Sequence, residues 1–337
     1  MTGFEAPTDP NFAVLGGGAW GTALAAVLAR KQQAPVTLWA READTVAAIN
    51  QTHENTGFLA GVALPRNIVA TQDLGELADA DIVLMVAPAQ FARPLLQQLA
   101  DHVRPATSLV LCAKGVERDT LSLMSDVAAD YFDAAQVAVL SGPSFASDVA
   151  RGLPTAVTLA CADAARGTYL CDQIGSQGFR PYLTDDVIGA EIGGAMKNVL
   201  AIACGIVEGK QLGQSARAAV TARGFAEMQR LGVALGARTE TLGGLSGLGD
   251  LILTCTSDTS RNFSLGRALG EGEKLEAVLG ARNSVSEGAM SAQAVAALAE
   301  RHKLDLPICQ AVHAVLSGGA DIDAAIDGLL ARPFTAE

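Results

Sequence analysis

From Phe12 onward, short uninterrupted apolar runs alternate with longer stretches in which apolar positions recur every three or four residues. The runs fall at 12–15, 36–39, 68–70, 81–86, 108–112 and 137–140. Apolar runs of this length without alternation are strands covered on both faces, as in parallel sheets with helices between the strands. Helical spacing over 22–31 and 91–99 supplies two of those helices. Runs at 155–160 and 179–183 predict an antiparallel or mixed extension, joined by a helix over 162–174. Past Asp185 the strand signals fade. Helical periods then occupy 187–208, 215–235, 263–269, 275–279, 288–301, 307–316 and 321–330. The pattern divides the chain into residues 1–187, an α/β sheet domain, and 188–337, an all-α domain.

The helix over 187–208 is apolar almost throughout, with Lys197 in its middle and Asp185 or Asp186 placed to cap its start. An apolar helix belongs inside the protein, where a lysine requires a partner. A helical side chain leans back over the residues three and four positions earlier. For Lys197 these are Gly194 and Gly193, which predicts a bare patch open to a ligand. The competing reading is a structural lysine in a core ion pair or reaching the surface.

The first apolar run ends in Gly16-Gly17-Gly18-Ala19-Trp20-Gly21, a G-x-G-x-x-G between strand and helix. Gly16 allows the turn, Gly18 lets a pyrophosphate approach the backbone, and Gly21 lets helix pack on strand. The helix start adds free N–H groups and a positive dipole end. The first domain therefore reads as Rossmann-like and dinucleotide-binding. About twenty residues on, where an acidic side chain would read the ribose of NAD, stands Arg41, suited to a 2′-phosphate. Glu42 beside it, or a merely solvated Arg41, keeps the alternatives open.

Ligands bind doubly wound sheets at the carboxyl ends of strands. Ala87-Pro88, Lys114-Gly115 and Ser141-Gly142-Pro143-Ser144-Phe145-Ala146 fall there. In the helical half, the glycine-rich stretch 243–249 reads as a flexible turn delivering Asp250, either as a helix N-cap or as a functional carboxylate. Ser260-Arg261-Asn262, ahead of a helix, groups hydroxyl, guanidinium and amide as phosphate donors do. Thr254, Thr256 and Ser257 read as turn residues. A substrate would lie in the cleft between the two domains.

The formal charge of −12 and the lack of any basic run argue against nucleic acid. An anionic substrate would thus need a local cationic site. Six scattered cysteines without Cys-x-x-Cys spacing fit reduced core thiols in a cytoplasmic protein. The polar start is unlike a signal peptide, and no uncharged apolar run reaches membrane-spanning length. No metal-ligand spacing is present.

Taken together, these motifs resemble those of the bacterial NAD(P)-dependent glycerol-3-phosphate dehydrogenases, from Phe12 to about Leu330. The resemblance also rests on Ala113-Lys114-Gly115, Gly194-Ala195-Met196-Lys197-Asn198-Val199, the stretch from Thr221 to Met228, and Gly247-Leu248-Gly249-Asp250-Leu251. It implies interconversion of dihydroxyacetone phosphate and sn-glycerol 3-phosphate with NAD(P)(H), supplying phospholipid synthesis, while Arg41 leads to the expectation of NADPH preferred and NADH usable. It implies Lys197 as proton donor and acceptor. It places the cofactor on Gly16, Gly18, Ala19, Trp20, Gly21, Arg41, Lys114, Ala146, Arg261, Val285 and Glu287. Substrate contacts would come from Lys114, Gly142, Ser144, Lys197, Asp250, Ser260, Arg261 and Asn262. Ser215 stands where the family usually has asparagine, and Gly17 where alanine is common. A homodimer is a compatible assembly. Two other readings compete: a 3-hydroxyacid or 6-phosphogluconate type of dehydrogenase, and a silent NADP-binding sensor, against which Lys197 argues.

Overall fold

The computed structural model describes residues 4–280 and 287–333. The chain gathers into two compact units. The first takes the residues up to Lys114 together with Ser122–Glu191; the second takes Gly115–Leu121 and the chain from Ile192 onward.

The first unit is built on one eight-stranded sheet. Its strands are β1 (Phe12–Leu15), β2 (Val36–Trp39), β3 (Ile68–Thr71), β4 (Ile82–Met85), β5 (Ser108–Leu111), β6 (Val137–Ser141), β7 (Thr155–Cys161) and β8 (Phe179–Thr184). They lie in the order β3-β2-β1-β4-β5-β6-β7-β8. The first six run parallel, β7 is antiparallel to β6, and β8 is parallel to β7. Their apolar runs are continuous because alternate residues serve two covered faces. In β1, Phe12 and Val14 join one core with Ile82 and Leu84, while Ala13 and Leu15 join the other with Val83 and Met85. Between β1 and β4 the strand order reverses, and the carboxyl ends flanking such a switch point form a ligand crevice.

The second unit is helical. Its long helix, Val187–Gly209, starts in the sheet unit, where Asp186 accepts from the Gly189 N–H at 2.9 Å and caps it. This helix is long and apolar enough to cross a membrane, but 89% of its apolar window is buried inside the protein, the condition of a core helix. It crosses the Arg261–Gly270 helix almost backbone to backbone. A Cβ on Gly205 would lie 2.0 Å from the Phe263 carbonyl oxygen, and one on Gly266 would lie 2.0 Å from that of Ile202. Glycines four residues apart on both helices, Gly205 with Gly209 and Gly266 with Gly270, line this contact. Glu227, 1% exposed, accepts from the Ile308 and Cys309 N–H groups and holds the start of the Pro307–Gly318 helix.

Helices absent from the sequence reading appear at Ala43–Thr52, Met124–Ala129 and Ala146–Ala150. They are short, so too few turns are present for an apolar period to show. The start of the Met124–Ala129 helix is held by Glu191, which accepts from the Ser125 N–H at 2.8 Å and the Ser125 hydroxyl at 2.5 Å. Burial pushes the Glu191 carboxyl up from 4.5 to about 7, against the opposing pull of the Ser125 hydrogen bonds.

Between those two values the folded chain holds a proton that the unfolded chain has released. This carboxyl's share of stability is therefore full below about pH 4.5, falls as pH rises toward 7, and is level above. The shift corresponds to about 3 kcal/mol at most. Glu191→Gln stays neutral throughout, so the decline in its urea midpoint from pH 5 to pH 7 should be smaller than wild type's. Equal slopes would show that Glu191 does not titrate in this window.

Candidate active site

In the sheet unit the glycine motif divides its tasks. Gly16, at φ +134°, turns the chain out of β1 and sends its N–H to the Trp39 carbonyl at 3.0 Å. A Cβ on Gly21 would sit 1.9 Å from the Gly16 oxygen, so Gly21 permits helix to close on strand. Above Gly18 there is open space: a Cβ there would meet nothing within 4 Å. The Ala19–Lys31 helix thus begins on a residue with no side chain to cap its first turn. Its N–H groups form an anion cradle of the kind a pyrophosphate occupies. The Trp20 indole N–H is buried and has no partner among the described residues. These features fit a dinucleotide.

Gly17 is more than a tolerated variant. A Cβ there would lie 2.3 Å from that of Ala40, and the Gly17 carbonyl accepts from Asn55 at 2.8 Å. Arg41 follows Ala40 and is exposed; its Nε and Nη2 both pair with Glu42 Oε1, at 3.0 and 2.6 Å. Past β5 and β6, Lys114 Nζ and the Ser144 hydroxyl both donate to the Gly142 carbonyl, at 3.1 and 3.0 Å. Gly142 has φ +144°, and a Cβ on it would lie 2.9 Å from Val157 Cα. Ala146 opens the short helix beyond.

In the helical unit Lys197 is 9% exposed and Asp250 is 0% exposed. Lys197 Nζ donates to Asp250 Oδ1 at 2.7 Å and to Thr254 Oγ1 at 3.1 Å. Thr254 lies one turn beyond Asp250 on the Asp250–Cys255 helix and donates to the Asp250 carbonyl at 2.6 Å. Asp250 is therefore the first residue of its helix and the lysine's counter-ion, not an N-cap; Gly249 occupies that position. Thr254, for which a turn role was one reading of the sequence, is helical and bonded to Lys197. Its spacing of four from Asp250 on one helix face is the signal that marks it. The stretch 243–249, expected to be a flexible turn, includes a single π-helical turn, Leu245–Gly249.

Of the two glycines expected to leave a bare patch beneath Lys197, Gly193 is covered by the chain. A Cβ on Gly193 would meet the Ser246 carbonyl oxygen at 2.3 Å and Gly247 Cα at 2.8 Å. Gly193 thus admits the π turn that carries Asp250 rather than a ligand. Two turns further along the same face of the long helix, the Cys204 thiol is pulled down and the Cys255 thiol pushed up by their mutual hydrogen bond.

Ser260 is the N-cap of the Arg261–Gly270 helix and accepts from the Phe263 N–H at 3.2 Å. Arg261 and Asn262 are inside its first turn rather than ahead of it. Arg261 is exposed, and Asn262 is buried with its amide on Asn198 and Gly288. Glu287 begins the Glu287–Arg301 helix; Val285 lies outside the described residues. Ser215 is exposed near the start of the Gln214–Ala234 helix. Among the described residues no group of three or more histidine, cysteine or acidic side chains could hold a metal ion.

Residues 11–166 match the family described as NAD-dependent glycerol-3-phosphate dehydrogenase N-terminus, and residues 186–327 match the one described as its C-terminus. The chain belongs to this dehydrogenase family. It is 60% identical over 327 residues to glycerol-3-phosphate dehydrogenase [NAD(P)+] of Parvibaculum lavamentivorans, covering 97% of this chain and 98% of the relative. Its identity to the protein of the same name from Caulobacter vibrioides is 58% over 330 residues, covering 98% of this chain and 99% of the relative. The crystal structure of glycerol-3-phosphate dehydrogenase from Coxiella burnetii is similar at a TM-score of 0.92 and 40% identity, covering 97% of this chain and 100% of that one. The N-terminal match covers β1 to β7, and the C-terminal match covers the helices from Asp186 to Asp327.

Gly193→Ala places a methyl group against backbone that has little freedom to yield. Overpacking of this kind costs about 1–3 kcal/mol. The variant should melt several degrees below wild type. An unchanged melting temperature would mean that the π turn shifts freely and that Gly193 does not fix the distance from Lys197 to Asp250.

Proposed function

We infer that this chain interconverts dihydroxyacetone phosphate and sn-glycerol 3-phosphate with NAD(P)(H), and so supplies glycerophospholipid synthesis. The observation that carries the reading is Lys197 on a buried apolar helix, held at Nζ by Asp250 and Thr254. The nicotinamide, when bound, supplies and withdraws the hydride. Everything else is left to the chain.

As the C2 carbonyl carbon takes up hydride, its oxygen becomes an alkoxide and needs a proton. The Lys197 ammonium donates it along an N–H···O line. In the reverse direction the neutral amine accepts the proton of the C2 hydroxyl. Asp250 and Thr254 both accept from the ammonium and so hold Nζ in a set orientation, which is the positioning general acid catalysis requires. A sensor that only bound the cofactor would have no use for a buried lysine and carboxylate set this way. Arg261 and the first turn of its helix offer the phosphate a cation and backbone donors. Lys114, gathered with Gly142 and Ser144, offers another cation. Gly18 and the first turn of the Ala19–Lys31 helix would hold the cofactor's pyrophosphate. Six free cysteines, five of them buried, accord with a reducing cytoplasm.

Lys197→Met should lower kcat by about 10²–10⁴. It also strands the Asp250 carboxylate inside the protein, which destabilises by about 3–5 kcal/mol. The companion Lys197→Met/Asp250→Asn removes both charges and should regain much of the stability but none of the turnover. Retention of more than about a tenth of wild-type kcat by either folded variant rules out Lys197 as the proton donor.

Arg41 selects the cofactor in this reading, with Glu42 as its resting partner. An exposed ion pair is worth only about 0.2–1 kcal/mol, so a 2′-phosphate can take the guanidinium from Glu42. NADPH should be preferred to NADH by roughly tenfold in kcat/KM, equal to about 1.4 kcal/mol. Arg41→Ala should abolish that preference. A wild type that favours NADH, or an unchanged ratio in the variant, means that Arg41 does not read the ribose.

A further inference from the structure

The loop ahead of the Ala19–Lys31 helix is three glycines in a row, Gly16 to Gly18. Glycine offers little steric resistance to rotation of its backbone. A peptide group flanked by two glycines therefore keeps its direction only if a partner holds it. The Gly16 N–H is fixed on the Trp39 carbonyl at 3.0 Å, and the Gly18 carbonyl accepts from the Thr22 N–H at 2.9 Å as the helix begins. Between them lies the Gly17–Gly18 peptide, and its carbonyl is held by side chains.

Asn55 Nδ2 donates to the Gly17 carbonyl at 2.8 Å and to Thr22 Oγ1 at 2.7 Å. The Thr22 hydroxyl donates in turn to the same carbonyl at 3.4 Å. At its other end, Asn55 Oδ1 accepts from the Phe58 N–H at 3.1 Å. A backbone N–H only donates and a backbone carbonyl only accepts, so both ends of the Asn55 amide are assigned by their partners. Asn55 and Thr22 are each 0% exposed. Bonded at both ends and buried, the amide is a rigid fixture.

A trans peptide points its N–H opposite to its carbonyl. With the Gly17 carbonyl turned inward to Asn55, the Gly18 N–H is turned away from that buried network. Gly18 itself has open space beside it, since a Cβ there would meet nothing within 4 Å.

We propose that Asn55 is a positioning residue for the cofactor: by holding the Gly17 carbonyl inward it aims the Gly18 N–H at the pyrophosphate and keeps a carbonyl oxygen from facing that anion. The proposal rests on the reading of Gly18 and the first helical turn as the pyrophosphate site. Asn55 acts through the glycine backbone, and its own side chain never meets the cofactor.

Asn55→Asp tests this. The carboxylate keeps the shape and still accepts from Phe58, but it sets an oxygen against the Gly17 carbonyl, and the peptide must turn away. Asn55→Leu removes the donor without adding charge, which separates loss of the donor from direct repulsion of the pyrophosphate. In the full-length protein, Kd for NADPH and for NADH, measured by calorimetry, should rise roughly tenfold or more in both variants, the scale of one reversed hydrogen bond. The pyrophosphate is common to both cofactors, so the two rises should agree within about twofold. At saturating NADPH, kcat and KM for dihydroxyacetone phosphate should stay within about twofold of wild type. A Kd within about twofold of wild type in either folded variant overturns the proposal. A rise confined to one cofactor also overturns it, because that places the effect at the ribose, and so does a fall in kcat at saturating NADPH. Should neither Asn55 variant fold, Thr22→Val and Thr22→Ser pose the same question. Serine keeps the hydroxyl that braces the Gly17 carbonyl and valine lacks it, so Kd should rise at least about threefold in Thr22→Val alone. Equal Kd values in those two variants overturn the proposal. Failure of the pyrophosphate reading itself would show separately, as Gly18→Val binding NADPH like wild type.

Discussion

A single ammonium inside an apolar helix constrains the helical unit more than any other group. Lys197 has the long helix around it and little water, and removing a lone ion from water costs several kcal/mol. Asp250, with no exposed surface, answers that charge at 2.7 Å. A contact this short requires the Asp250–Cys255 helix to lie directly on the long helix. The approach is possible because Gly193 leaves room for the carbonyl of Ser246 and the Cα of Gly247. Thr254 completes the arrangement by donating to the Asp250 carbonyl while accepting from the lysine. The ion pair, the π turn and the glycine are one device: none has its present geometry without the other two.

The same solution recurs along the long helix. At Gly205 and Gly209 it meets the backbone of the Arg261–Gly270 helix, which presents Gly266 and Gly270 in return. This chain has 10 Phe, 3 Tyr and 2 Trp but 35 Gly, so its helices can approach more closely than bulky side chains would permit. Close packing of rigid backbone leaves less slack than interdigitated side chains. That stiffness carries Asn262 to within hydrogen-bonding reach of Asn198, and it fixes where the first turn bearing Arg261 points.

Much of the sheet unit was legible in the sequence, because both-face burial writes itself as continuous apolar runs and a glycine fingerprint has a fixed spacing. Gly16, Gly18 and Gly21 each hold the place their spacing implied. The helical site was less legible. Lys197 and Asp250 were visible as charges in apolar surroundings, but their pairing spans 53 residues, and no local period encodes it. Thr254 was lost among polar neighbours that resemble a turn. The glycines under Lys197 signalled close approach, but a sequence cannot say whether a ligand or another stretch of chain makes the approach; at Gly193 it is the chain. The assignment of residues 115–121 to the helical unit was likewise hidden, since they follow β5 directly.

The electrostatics follow from the same economy. A chain of net charge −12 whose cofactor and substrate are both anions gains nothing from its overall field. At physiological salt that field fades over about 8 Å, so capture depends on donors fixed close to the ligand. The structure supplies them with little exposed positive charge. Arg41 is paired with Glu42, and Lys197 with Asp250. Lys114 is anchored to the Gly142 carbonyl. Beside the exposed Arg261, the chain offers dipolar groups: the uncapped first turn above Gly18 and the buried Trp20 indole N–H. Dipolar donors hold an anion without adding charge that must be neutralised when the site is empty. An acidic protein can therefore bind anionic ligands by geometry, and its few cations remain available for steps in which a full charge or a proton must be delivered.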